Sequence, residues 1–121
     1  MLVLSQPKQS ALRVTDPPDK GAHTGALPCV DIAFLGTNGI SVRHGLSTPD
    51  SDEAAVKRAM VRAANYVVVA ADSSKVGRED FVSFAPISCV DTLITDPEIS
   101  AEASRELTEQ GVEVICAGGT P

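Results

Sequence analysis

The chain has 121 residues, 43% of them hydrophobic but only 3% aromatic, and a formal net charge of −6 at pH 7. That length suits one compact domain and excludes two of ordinary size, while an aliphatic, aromatic-poor composition favours Val- and Ile-rich strands packed with Ala-rich helices over an aromatic-lined barrel. The negative charge excludes nucleic-acid binding by bulk electrostatics, because a phosphate backbone is repelled rather than steered in.

Residues 1–28 read differently from the rest. Pro7, Pro17, Pro18 and Pro28, with Gly21 and Gly25, predict an irregular N-terminal arm, in which Leu2–Leu4 is the one candidate strand. The opening apolar run is too short for a secretion signal. No run approaches the roughly 20 residues needed to span a bilayer, so a soluble, cytoplasmic protein is expected.

Residues 29–121 form the predicted domain, in which strand and helix alternate. The runs Val30–Leu35, Tyr66–Ala71, Asp91–Thr95 and Gly111–Cys116 are short and largely aliphatic, without strict polar alternation, as strands covered on both faces are. A helix is predicted from about Asp50 to Asn65, with Val56, Ala59, Met60 and Ala63 as its inward stripe and acidic residues in its first turn. Lys57, Arg58 and Arg62 then lie off the stripe as a solvated basic face, or alternatively as a patch for a partner subunit or a ligand phosphate. A second helix is predicted to start at Asp96 as N-cap with Pro97 at its first position, and to stop at Gly111. Helical crossovers of this kind join parallel strands. The fold class expected is α/β, three-layer and Rossmann-like, with a mainly parallel sheet of four or more strands.

In such sheets ligands bind beyond the carboxyl ends of the strands, where the connecting loops converge. This rule selects Gly36, Thr37, Asn38 and Gly39 after the first strand, Asp72 through Lys75 after the second, and Thr95 and Asp96 after the third. Asp72 would accept hydroxyl hydrogen bonds, Lys75 would pair with a phosphate, and the glycine loop would lend backbone donors. Each has a plainer alternative: a tight turn using Gly and Asn, or a capped turn with a surface ion pair. His44 lies in a polar loop with no second His or Cys at ligand spacing, His23 falls in the arm, and no nucleophile–base pair stands out; neither a metal, a cofactor nor a catalytic residue is expected. Cys29, Cys89 and Cys116 are widely spaced and read as buried free thiols of a reducing compartment. Gly118-Gly119-Thr120 reads as a tail.

These residues carry a family resemblance. Asp31 to Ile40 resembles the opening strand and glycine loop of the sensor domain of bacterial DeoR-type transcriptional repressors. Gly45 to Asp50 and Glu53 to Met60 resemble that family's following turn and helix, and Asp72-Ser73-Ser74-Lys75 and Ile94-Thr95-Asp96 resemble two of its signatures. The matches run in order over roughly residues 30–117. The resemblance implies a fold related to ribose-5-phosphate isomerase and the CoA transferases, and a phosphorylated sugar or sugar-alcohol as effector. It implies DNA binding through a winged helix that this chain lacks, along with the family's opening Gly-Gly-Thr loop, so a truncated sensor without direct nucleic-acid contact is expected. An incomplete sheet leaves apolar surface, and self-association is expected from it. The rival readings are a sugar-phosphate isomerase-like enzyme and an interaction module without ligand. Against the isomerase, its paired carboxylates fall at Leu35 to Asn38 here and its catalytic Glu at Val56, so no general base remains.

Overall fold

The computed structural model describes residues 2–4 and 30–118. Chain order is β1 (Leu2–Leu4), β2 (Val30–Gly36), β3 (Gly39–Ser41), β4 (Gly45–Thr48), α1 (Ser51–Ala63) and β5 (Ala64–Ala70), followed by a 3-10 turn (Ser73–Lys75). It continues with β6 (Val82–Ala85), a second 3-10 turn (Ile87–Cys89), β7 (Thr92–Thr95), α2 (Ala101–Glu109) and β8 (Glu113–Cys116). The calls on Thr15 to Pro28, His23, Cys29, Gly119 and Thr120 lie outside the described residues.

Five strands form the main sheet in the order β1-β2-β5-β7-β8. β2, β5, β7 and β8 are parallel neighbours, and β1 adds an antiparallel edge. The aliphatic runs explain this sheet. Alternate residues Ala33, Leu35, Val67, Val69 and Leu93 all fall on one face and are almost fully buried, where they meet Ala54 and Val61 of α1 and Leu107 of α2 in one core. Fully burying an aliphatic side chain of this size contributes roughly 1.5–3 kcal/mol.

The strand boundaries agree with the sequence pattern to within two residues. The helices depart from it more. In α1, Asp50 caps the N-terminus by accepting from Asp52 N–H, as its position suggests, but the inward residues are Ala54, Lys57 and Val61. Val56, placed on the inward stripe by periodicity, is 54% exposed. The correction has a steric cause: α1 packs chiefly against β6, and the small Ala54 with the slim stem of Lys57 permits that approach. α2 begins a turn later than predicted. Ser100, not Asp96, is its N-cap, with Ser100 Oγ accepting from Ala103 N–H at 3.0 Å. The predicted end holds, since Gly111 follows the Gln110 C-cap with φ +92°.

A three-stranded antiparallel sheet, β3-β4-β6, was not expected. It replaces the polar loop assigned around His44 and Gly45: all four residues of β4 are buried. The backbone is satisfied by strand pairing and by side chains, with Ser47 Oγ accepting from Asp80 N–H at 2.9 Å. The cysteine reading is also corrected. Cys89 and Cys116 are free thiols, but Cys89, in the second 3-10 turn, is only partly buried, and Cys116 is exposed on β8, which among the described residues pairs with β7 alone.

Candidate functional site

The parallel register brings the strand ends to one edge. Gly36 lies opposite Ala70, Ala70 opposite Ile94, and Thr95 opposite Cys116. Ile40 forms a parallel bridge with Val76, and Gly77 N–H donates to Ile40 O at 2.7 Å. The loop holding Asn38 and the turn holding Lys75 are therefore tied together at this edge.

Asp72 and Asp96 organise it. Asp72 caps the 3-10 turn, its Oδ1 accepting from Ser74 N–H at 2.9 Å and from the Ser74 hydroxyl. These bonds, aided by nearby Lys75 and opposed by Asp96, hold its carboxyl below the usual range. Asp96 bridges two loops: Oδ2 accepts from Ser73 N–H and Oδ1 from Glu98 N–H, both at 2.8 Å. Those N–H groups likewise lower its pKa. Two anions thus sit at one edge, Asp96 with both oxygens engaged by backbone N–H groups and Asp72 through Oδ1, and Lys75 makes no salt bridge among the described residues. Thr95 is 5% exposed, and its Oγ1 is buried without a hydrogen-bond partner among the described residues. A hydroxyl left so costs about 1–3 kcal/mol.

The Gly36–Gly39 segment serves in part another purpose than the sequence suggested. Neither glycine has a positive φ. Gly39 is there for close approach, since a Cβ would lie 2.4 Å from Arg78 O. Asn38 N–H donates to Ser47 O at 3.2 Å, and Thr37 Oγ1 donates to Gly39 O at 2.8 Å or Ser47 O at 3.0 Å. The Asn38 amide N–H and the Thr37 hydroxyl are therefore engaged inside the fold.

Sequence reasoning missed Lys57. Its side chain is 11% exposed, and Nζ donates to Gly36 O at 2.8 Å and pairs with Glu53 at 3.0 Å. The ammonium also lies 5.6 Å from the centre of the Phe84 ring. It closes the strand end next to the glycine loop. The available signal was the spacing Ala54, Lys57, Val61, a second helical stripe that a purely apolar pattern discards.

A mainly parallel α/β sheet whose polar loops gather beyond its strand ends is the arrangement of a small-molecule-binding domain of Rossmann-like type. The chain belongs to the DeoR C terminal sensor domain family, whose model matches residues 24–97. It is 46% identical over 85 residues to the HTH-type transcriptional regulator GlpR of Haloferax volcanii, covering 70% of this chain and 33% of that protein. The HTH-type transcriptional repressor GlcR of Bacillus subtilis is 36% identical over 86 residues, with 71% and 33% covered. The glycerol-3-phosphate regulon repressor of Escherichia coli is 31% identical over 85 residues, with 70% and 34% covered. The chain thus spans about a third of the length of the curated relatives it matches. Among the described residues no helix is long and apolar enough to cross a membrane.

Proposed function

We propose that this sensor domain binds a phosphorylated sugar or sugar-alcohol at the carboxyl edge of its sheet, in the cytoplasm, without catalysing its conversion. The observation that carries the reading is the grouping of Lys75, which makes no salt bridge among the described residues, with two carboxylates fixed by backbone donors at the same strand ends. Lys75 pairs with the phosphate, and the outer lone pairs of Asp72 accept from sugar hydroxyls; the Thr95 hydroxyl, which is buried, lines the strand end without touching the ligand. Asp96 and Lys57 position the loops rather than touch the ligand. One relative is named for the glycerol-3-phosphate regulon, which fits a phosphorylated effector. Val56 stands where an isomerase-like Glu would, and valine carries no proton-transfer group, which supports binding without conversion. In a protein that also holds a DNA-binding domain, such an effector acts by binding two conformations unequally.

A thermal-shift panel of sugar phosphates tests this. A ligand at 100 times its Kd stabilises the chain by about 2.7 kcal/mol, and Lys75→Ala is expected to remove most of that response while leaving the unliganded melting temperature unchanged. An equal response in Lys75→Ala removes the assignment.

A further inference from the structure

A cleft of about 610 Å³ lies away from the edge just described. It is walled by the β3–β4 turn, the later turns of α1, and the segment from Ser83 to Cys89 that leads into the start of β7. None of the residues assigned to the effector edge lines it. Its volume falls within the roughly 300–1,000 Å³ of small-molecule sites.

Its charge is unlike that of the chain. The net charge is −6, yet the cleft is lined by Arg43, His44, Arg58 and Arg62 and by no carboxylate. Arg58 and Arg62 stand one turn apart on α1, where like charges repel and destabilise the helix by a few tenths of a kcal/mol. Arg62 lies in the last turn of α1, where the helix dipole favours a cation, but Arg58 stands a turn earlier. Among the described residues Arg58 donates to Ser83 O, at 3.0 Å, and neither Arg58 nor Arg62 makes a salt bridge. Arg43, at the cleft's rim, is paired with Glu79 at 2.6 Å, so the cationic character of the cleft rests chiefly on Arg58 and Arg62. That pairing and the Ser41 hydroxyl push the Glu79 carboxyl down to about 2. Ser83 and Ser88 add hydroxyls, and Phe84 and Ile87 supply an apolar floor.

We propose that this cleft is a second binding site, for a small, multiply charged organic anion whose body rests on Phe84 and Ile87 while Arg58 and Arg62 hold its charged end. Planar guanidinium groups suit phosphate and carboxylate oxygens alike. The site is independent of Lys75, and so of the effector reading above.

The test is an amide NMR titration of the Lys75→Ala chain, in which the effector edge is disabled, with pyrophosphate and separately with citrate at constant ionic strength. Saturable shifts are expected at the amides of Arg43, His44 and Ser88. Adding Arg62→Gln, an exposed change that leaves the fold intact, should weaken binding by about tenfold or more, as loss of a charged hydrogen bond does. The two probes tell a phosphate preference from a carboxylate one. Absence of saturable shifts, shifts confined to other residues, or a smaller loss in Arg62→Gln overturns the proposal.

Discussion

Gly45→Ala is expected to destabilise the chain by about 3 kcal/mol or more, the cost of a strained backbone added to a steric clash. Gly45 has φ +76°, and a Cβ there would lie 2.1 Å from Ala85 O and 2.9 Å from Pro86 Cα. Neither neighbour is a flexible side chain, so relief requires β6 to move away from β4. That strand carries Phe84, which belongs to the central core, and its displacement opens the core as well. Since a domain of this size holds only about 5–15 kcal/mol in total, the variant should unfold at much lower urea or not accumulate folded at all. Urea unfolding followed by circular dichroism decides it; a loss below about 1 kcal/mol, or the gain of about 0.4–1 kcal/mol that an unstrained glycine-to-alanine change brings, contradicts the account.

Lys57→Met should cost about 2 kcal/mol, in the range for hydrogen bonds to a charged group, although the substitution keeps an unbranched apolar stem only one atom shorter. The ammonium satisfies Gly36 O and Glu53 within a largely enclosed setting, and methionine leaves that carbonyl without its donor. The comparison that makes the number informative is Arg105→Met. Arg105 pairs with Glu109 on α2 at 3.1 Å, but both side chains are 60% exposed. There the expected change is only about 0.5 kcal/mol or less, as for exposed helix pairs. Lys57→Met should also weaken sugar-phosphate binding, because the Gly36 carbonyl it anchors borders the glycine loop. Equal effects of the two substitutions would show that burial of Lys57 has no energetic consequence.

What was legible in advance follows from these same forces. The parallel strands could be read because Val30–Leu35 and Val67–Val69 are aliphatic runs, and the side-by-side assembly of their ends followed from parallel connectivity. The antiparallel sheet was not readable. Its strands are three and four residues long and rich in Gly, Ser and Thr, and such residues are buried only after pairing supplies their partners. The start of α2 was misplaced because Asp96 has the right chemistry for an N-cap, but its carboxylate is shared between Ser73 and Glu98, leaving Ser100 to begin the helix. Asp72, Lys75, Thr95 and Asp96 were selected by connectivity alone. Lys57 escaped because a buried lysine looks, in a string of letters, like a solvated one.

α1 ends at Ala63 and β5 begins at Ala64, with no residue between them. The chain therefore turns from the helix bearing Lys57 into the central strand leading to Asp72 within one residue, Ala64. One extra residue at that joint would invert the parity of β5 and turn Val67 and Val69 outward. Length there is as constrained as chemistry is at the strand tips.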